Sequence, residues 1–173
     1  MRSLLLAVAL LVTVPACGKS EAAAPGAMDP AVGKPAPDFK AVAHDGFVVQ
    51  PSALKGKPIV LYFYPKDETP GCTKEACSFR DAWKNLEATG VVLVGISNDS
   101  LESHKDFAKN HQLPFHLISD DGPIAKQYGV GKNILGMLDR ETIVIDKDGN
   151  VKKVYRSVDV TKHAAEIQAD LSS

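Results

Sequence analysis

Hydrophobic residues along the chain form short, uninterrupted runs that are separated by polar segments. Three of these runs are rich in β-branched and aromatic side chains, at residues 58–64, 91–97 and 142–146. Continuous apolar runs of this length are typical of strands that are buried on both faces of a sheet. Asp148 and Gly149 then predict a turn into a fourth strand at residues 151–155, which would be an antiparallel partner of the third.

The segments between these strands have the features of helices. Thr69 is a good N-cap residue and predicts a helix that continues to Gly90. Asp99, with Glu102 three residues later, resembles a capping box and predicts a helix that continues through Asn110. Two further helices are predicted at residues 122–128 and 161–171.

The order of these elements predicts the fold class. Residues 38–43 and 47–49 flank the turn sequence His44-Asp45-Gly46, which predicts an N-terminal β-hairpin. Strands that alternate with helices and close with a hairpin predict an α/β sandwich with a mixed central sheet flanked by helices. This pattern is typical of a thioredoxin-like domain, and a doubly wound, flavodoxin-like order is the structural alternative.

The first residues differ from the rest of the chain. Residues 4–14 form an apolar, uncharged run that is too short to span a bilayer comfortably but suits the core of a signal peptide. Residues 14–17 resemble a bacterial lipoprotein cleavage box, in which Cys17 becomes the lipidated first residue, although Pro15 departs from the usual pattern. Ordinary secretory cleavage is the alternative. Residues 1–17 therefore predict an exported protein, either periplasmic or lipid-anchored to the cell envelope through Cys17.

The segment after this signal has a different composition. Residues 18–32 are rich in Ala, Pro and Gly and lack apolar periodicity, which is typical of a flexible linker. The folded domain is predicted over residues 33–173. A total length of 173 residues without internal repeats indicates one domain.

Composition and charge narrow the classes of function. The chain is 45% hydrophobic and 24% charged, with a formal net charge of −1 at pH 7. This charge gives no electrostatic argument for binding nucleic acid or an anionic membrane surface. The five histidines are scattered without zinc-finger spacing to the cysteines, so no metal site is predicted, and most of them are expected to be solvated.

Candidate chemistry is concentrated in residues 62–77, which read YFYPKDETPGCTKEAC. A buried strand leads into a loop, and Cys72 then lies in the first turn of a helix. Unpaired N–H groups and the positive end of the helix dipole stabilise a thiolate at that position. Thr69 can place a hydroxyl beside the sulfur, and Pro65 can exclude water without presenting a competing N–H group.

Cys72 and Cys77 remain as a pair if Cys17 is lipidated or removed. A structural disulfide is the alternative to a catalytic pair, although so short a loop would constrain the unfolded chain little. In a continuous α-helix, Cα atoms five residues apart lie roughly 8–9 Å from each other. A disulfide generally needs less than about 7 Å. Bond formation between Cys72 and Cys77 is therefore expected to unwind the helix.

The same segment resembles the active site of the peroxiredoxin family. Pro65, Thr69 and Cys72 match its P-x-x-x-T-x-x-C motif. The longer match resembles the bacterioferritin-comigratory-protein or PrxQ subgroup, which places a resolving cysteine five residues after the peroxidatic one, as Cys77 stands here. The similarity runs from about residue 33 to near the C-terminus. It implies that Arg140 completes the pocket, where it would favour the thiolate and orient the peroxide.

The resemblance implies a thiol peroxidase that needs no metal or organic cofactor. A hydroperoxide oxidises Cys72 to a sulfenic acid, and Cys77 converts it to an intramolecular disulfide. A thioredoxin-like dithiol then reduces the disulfide, and the protein is expected to be a monomer. An exported thiol–disulfide oxidoreductase and a non-enzymatic redox-sensing module are the alternatives, although the C-x-x-C motif of the former is absent.

Overall fold

The computed structural model describes residues 30–172 of the chain. The predicted signal segment and most of the predicted linker lie outside the described residues. Within residues 30–172, no helix combines the length and the apolar character needed to cross a lipid bilayer.

Strands and helices alternate along the described residues. In chain order they are β1 (Ala41–Val42), β2 (Val48–Val49), β3 (Ile59–Phe63), α1 (Pro70–Asp81), α2 (Trp83–Glu87), β4 (Val92–Ser97), α3 (Leu101–His111), β5 (His116–Ser119), α4 (Pro123–Gln127), β6 (Glu141–Ile145), β7 (Val151–Tyr155) and α5 (His163–Ser172). A short 3-10 helix, Pro51–Ala53, lies between β2 and β3.

The central sheet has five strands in the order β5-β4-β3-β6-β7. β3 pairs in parallel with β4 and antiparallel with β6, and β7 is antiparallel to β6. β1 and β2 form a separate two-stranded hairpin. The predicted mixed sheet and N-terminal hairpin are confirmed. The antiparallel β6 and β7 exclude the doubly wound, flavodoxin-like alternative.

An apolar layer covers each face of the sheet. Successive side chains of β3 point to opposite faces and therefore belong to different layers. Ile59, Leu61 and Phe63 belong to one buried cluster, whereas Val60 and Tyr62 belong to the other. The second cluster also contains Cys72 and buried residues of α1 and α3. The predicted burial of β3 on both faces is confirmed. Cys72 packs against one of the two apolar layers.

The helix predicted from Thr69 to Gly90 is wrong in one respect. Ala82 interrupts it with a ψ of −1°, and the segment becomes α1 and α2. The interruption is one residue long, so Phe79 and Leu86 remain in the same core cluster. The apolar periodicity therefore identified the buried side correctly but not the break.

The predicted start of α3 is also wrong by one residue. Ser100 is the N-cap, and its side chain accepts a hydrogen bond from the Ser103 N–H. Asp99 cannot serve as the cap because its carboxylate accepts hydrogen bonds from the Ser97 hydroxyl and from the Asp67 N–H. A tertiary contact with the loop after β3 has displaced the local capping-box pattern.

β5 is absent from the predicted strands. It is four residues long and pairs only with β4, at the edge of the sheet. A run of this length is too short to show a clear period. Pro114, two residues before β5, further weakens the local signal for a strand.

Candidate active site

The fold places Cys72 at the junction between a buried strand and a helix. Tyr64 continues beyond β3, and its N–H donates to the Ile96 carbonyl at 3.0 Å. Residues 65–69, which we call the reactive loop, then lead into α1. Cys72 is the third residue of α1, and 2% of its surface is exposed. The N–H groups of the first helical turn lack partners within the helix. They and the helix dipole favour a negatively charged sulfur.

Asp67 fixes the conformation of this loop from inside the protein. Its buried carboxylate accepts hydrogen bonds from the Tyr64 hydroxyl at 2.6 Å, the Ser103 hydroxyl at 2.7 Å and His104 Nδ1 at 2.9 Å. Its N–H donates to Asp99 at 2.8 Å. Burial alone would raise the pKa of Asp67, but the hydrogen bonds, that from His104 foremost, hold it below its ordinary value. The loop is therefore fastened to α3 by a carboxylate that stays ionised.

His104 connects this loop to the core. Its Nδ1 lies 2.9 Å from the Asp67 carboxylate and 3.4 Å from the Tyr64 hydroxyl, and its Nε2 lies 3.2 Å from the Ile118 carbonyl oxygen. The buried imidazole therefore joins α3 to the reactive loop and to β5.

Arg140 connects Cys72 to a second buried carboxylate. Its Nη2 donates to Cys72 Sγ at 3.1 Å, and its Nη1 donates to Glu75. The antiparallel pairing of Phe63 with Glu141 brings Arg140, the residue before β6, to the end of β3 where the reactive loop begins. The guanidinium therefore bridges the nucleophile and Glu75.

Glu75 is buried next to the sulfur, three residues after Cys72 on the same face of α1. Burial raises the pKa of Glu75 to about 7, although Arg140 opposes the shift. Its Oε1 and the hydroxyl of Tyr62 are buried without a hydrogen-bond partner among the described residues. A carboxyl group that titrates near neutral pH thus shares the guanidinium with the nucleophile.

Thr69 and Pro65 both lie in the loop before α1, but neither is in hydrogen-bond contact with Cys72 among the described residues. Thr69 occupies the N-cap position of α1, and its hydroxyl donates to the Lys66 carbonyl at 3.0 Å instead of capping the helix. Among the described residues, no hydrogen bond joins Thr69 to Cys72. Pro65 is partly buried at the start of the loop. The structure therefore brings Arg140 to the sulfur and leaves the Thr69 hydroxyl turned toward the loop.

Cys77 lies on α1 with Cys72, and both are free thiols. Cys77 is partly exposed, and its Sγ is 4.0 Å from His111 Nδ1 on α3. The uninterrupted helix between the two cysteines keeps their sulfurs from bonding in this conformation.

Three residues of the site, Asp67, His104 and Glu75, are not among the site residues that the sequence predicts, and all three are buried. The prediction that most histidines are solvated is wrong for His104 and for His163, which is also buried. A helical period contained the signal for His104, because Phe107 and Ala108 follow it at three and four residues on the buried side of α3. Glu75 follows Cys72 at the same spacing on α1.

Among residues 30–172, no group of three or more His, Cys, Asp or Glu side chains is arranged to hold a metal ion.

Comparison with known proteins identifies the family. The profile of the AhpC/TSA family matches residues 32–154. A putative peroxiredoxin bcp of Coxiella burnetii is 46% identical over 144 residues, which cover 79% of this chain and 95% of the relative. The chloroplastic peroxiredoxin Q of Sedum lineare is 50% identical over 127 residues, covering 72% of this chain and 68% of the relative.

Solved structures give the same result. Peroxidoxin BcpB of Mycobacterium tuberculosis matches with a TM-score of 0.74 and 37% identity, over 82% of this chain and 96% of that one. The bacterioferritin comigratory protein of Xanthomonas campestris, described for its alkyl peroxide reduction activity, matches with a TM-score of 0.74 and 29% identity over 82% and 98% of the two chains. The chain therefore belongs to the AhpC/TSA family of thiol-dependent peroxidases, in the subgroup of bacterioferritin comigratory protein and peroxiredoxin Q.

Proposed function

We propose that Cys72 reduces hydrogen peroxide and organic hydroperoxides, and that Cys77 resolves the oxidised product as an intramolecular disulfide. The observation that carries this proposal is the 3.1 Å hydrogen bond from Arg140 to Cys72 Sγ at the head of α1. A cation and a helix N-terminus that converge on one buried thiol favour its nucleophilic form.

In the first step the Cys72 thiolate attacks the terminal oxygen of the hydroperoxide. An S–O bond forms, the O–O bond breaks, and the other oxygen leaves with the electron pair. Arg140 and the free N–H groups of α1 are positioned to stabilise this developing charge. The leaving oxygen takes a proton and departs as water or an alcohol, and Cys72 remains as a sulfenic acid.

In the second step the Cys77 thiolate attacks the sulfenic sulfur. An S–S bond forms, the S–O bond breaks, and hydroxide leaves to become water. Both cysteines lie in α1, where the helix keeps them too far apart for this bond. Local unwinding of α1 therefore belongs to the resolution step.

In the third step an external dithiol reduces the disulfide by thiol–disulfide exchange. The family resemblance favours a thioredoxin-like protein as this donor. The alkyl peroxide reduction activity described for the Xanthomonas campestris relative supports organic hydroperoxides as substrates here.

Steady-state kinetics with a thioredoxin-like donor test this function. We expect turnover of hydrogen peroxide and of tert-butyl hydroperoxide, abolished in Cys72→Ser and strongly reduced or altered in Cys77→Ser. Insulin-disulfide reduction measured in parallel distinguishes a disulfide oxidoreductase. Disulfide reduction without peroxide consumption would contradict the proposal.

We further propose that the protein is exported and anchored to the envelope through a lipid on Cys17. The apolar run at residues 4–14 and the residues before Cys17 support this. Expression of the full chain in a Gram-negative host with labelled palmitate tests it. Label in the wild type and none in Cys17→Ser is expected, whereas an unlabelled protein in the cytosolic fraction would contradict it.

We propose that the folded domain is a monomer. The exposed large hydrophobic residues of the described range are few: Val32, Val42, Val48, Leu101, Ile134 and Leu135. They form two small pairs, Val42 with Val48 across the hairpin and Ile134 with Leu135 along the chain, and no extended apolar surface. Light scattering coupled to size-exclusion chromatography tests the proposal. A mass of one chain at micromolar concentration is expected, and a stable mass of two chains would refute it.

A further inference from the structure

Cys77 has a polar environment of its own, separate from that of Cys72. Its Sγ lies 4.0 Å from Nδ1 of His111, the last residue of α3. The other ring nitrogen, Nε2, is 2.8 Å from an oxygen of Glu68 in the reactive loop. The Cys77 thiol, the His111 imidazole and the Glu68 carboxylate therefore form a connected series of polar contacts.

The carboxylate determines which ring nitrogen carries hydrogen. An ionised Glu68 can only accept, so Nε2 of His111 donates. In the neutral ring this leaves the lone pair on Nδ1, which faces the Cys77 thiol. A nucleophile within reach of a base, with the base oriented by a third group, is the arrangement that activates nucleophiles in enzymes.

Further contacts hold the His111 ring in place. Asn110 donates to the second oxygen of Glu68 at 3.0 Å, and Arg80 donates to the His111 carbonyl at 3.0 Å. The hydrogen bonds from His111 and Asn110 lower the pKa of Glu68, so this carboxylate is ionised at neutral pH. The Phe107 ring meets the imidazole edge-on, with centroids 5.1 Å apart.

Arg80 adds positive charge beside the same thiol. Its pKa is raised, first by its hydrogen bond to Asp81 and, to a smaller extent, by the charge of Cys77. Within residues 30–172, the titratable groups in contact with His111 are Arg80 and Cys77 on α1 and Glu68 in the loop. A thiolate at Cys77 is therefore surrounded by two groups that favour negative charge, Arg80 and the protonated form of His111.

We propose that His111 is the general base that deprotonates Cys77 for resolution, and that Glu68 is the residue that positions it; this rests on the function proposed above. The S–H proton passes to Nδ1, which leaves a thiolate next to an imidazolium. The thiolate displaces hydroxide from the Cys72 sulfenic acid as the S–S bond forms. The proton held by His111 returns through solvent to that hydroxide, so the step releases one water.

The contact operates while α1 is intact. Cys77 is ionised on the folded helix beside α3, and unwinding of α1 then takes the thiolate away from His111 toward Cys72. Without the base, resolution depends on thiol that ionises unaided, which for a free cysteine is a few per cent at pH 7. Loss of His111 is therefore expected to slow disulfide formation about 10-fold at pH 7, and less at higher pH.

Single-turnover stopped flow after one equivalent of hydrogen peroxide tests this, with Trp83, the chain's one tryptophan, as the reporter. The first phase reports oxidation of Cys72 and the second reports disulfide formation. We expect His111→Gln to leave the first phase unchanged and to slow the second about 10-fold at pH 7. The difference should become smaller as the pH rises, because hydroxide then ionises thiols without a protein base. Glu68→Gln should show a smaller loss with a shifted pH profile.

His116 provides a matched control. It has the same 23% side-chain exposure as His111 and the same 2.8 Å contact with a carboxylate, that of Asp45. His116→Gln should change neither phase. An unchanged second phase in His111→Gln, or a loss that is equal at every pH, would overturn the role of His111 while the first phase still supports the peroxidase. Absence of the first phase in the wild type would instead overturn the proposed function.

Discussion

At the residue scale, the site depends on one guanidinium that serves two buried acceptors. Arg140 contacts both Cys72 Sγ and the Glu75 carboxylate, and these two contacts leave from different nitrogens. A lysine offers one point charge and cannot reproduce that fork. The position of the guanidinium therefore matters as much as its charge.

Arg140→Lys should lower kcat/KM for hydrogen peroxide about 100-fold, because a donor to the developing oxyanion is lost. It should also lower the fraction of Cys72 that iodoacetamide alkylates rapidly at pH 7. Arg156→Lys is the control. Arg156 pairs with Glu141, the residue that follows Arg140, and donates no hydrogen bond to Cys72 among the described residues. Equal activity of Arg140→Lys and wild type would contradict the assigned contact.

Glu75 predicts a pH dependence of stability. Its pKa is raised from 4.5 to about 7 in the fold, so the folded state holds a proton that the unfolded state has lost between these pH values. The contribution of Glu75 to the free energy of unfolding therefore falls by on the order of 3 kcal/mol as pH rises from 4.5 to about 7. Urea unfolding of wild type and Glu75→Gln at pH 5 and pH 8 should show this change in their difference. A constant difference would refute it.

Gly95 lies where the neighbouring side chains leave no room for a Cβ atom. A Cβ at this position would lie 2.6 Å from the Tyr62 ring and from Leu117, both buried. Gly95→Ala should therefore destabilise the fold by about 2 kcal/mol through overpacking, measured as a lower midpoint of urea unfolding. Gly71→Ala is the matched control, because its Cβ would make only ordinary contact, at 3.5 Å from Arg140. Equal stability of the two variants would contradict this explanation.

At the element scale, α1 carries both cysteines, and its two halves are held by different partners. Its first turn contacts Arg140 through Cys72, and its second half contacts α3 through Cys77 and Arg80. Disulfide formation must break the contact of Cys72, that of Cys77 or both. α1 is therefore the element that changes with redox state.

Oxidation should raise amide hydrogen exchange over α1 while β3 and β4 remain protected. The geometric reason is that a continuous helix separates the two Cα atoms by more than a disulfide permits. Hydrogen exchange with mass spectrometry on reduced and peroxide-treated protein measures it, with Cys77→Ser as a control that cannot form the bond. A disulfide form with unchanged protection in α1 would contradict the prediction.

The elements differ in how well the sequence predicts them. β3, β4 and β6 are long apolar runs, so their burial is visible without knowledge of the fold. The N-cap of α3 is set by a contact between Asp99 and the distant Asp67, which no local pattern contains. β5 is too short for its period to be seen.

At the scale of the whole molecule, the sheet order brings together residues that are far apart in the chain. Arg140 and Cys72 are 68 positions apart and meet because β6 pairs antiparallel with β3. The position of Cys72 at a helix start could be inferred from local residues. Arg140 could be selected only through the family resemblance, because its neighbours are set by strand pairing.

The contacts of the buried residues His104 and Glu75 also could not be predicted from local sequence. His104 lies on the apolar face of α3, yet its 2.9 Å contact with Asp67 depends on how α3 packs against the loop after β3. Glu75 shares a face of α1 with Cys72, but its raised pKa follows from burial in the assembled core. Spacing indicates which residues face inward, and packing determines what they meet.

The central claim is that Cys72 is the oxidised nucleophile and Cys77 its resolving partner. Trapping with dimedone after one equivalent of hydrogen peroxide, followed by peptide mass spectrometry, tests it most directly. The predicted result is a Cys72–Cys77 disulfide in the wild type, a dimedone adduct on Cys72 in Cys77→Ser, and no adduct in Cys72→Ser. An adduct on Cys77 in Cys72→Ser, with an unmodified Cys72 in Cys77→Ser, would contradict the account.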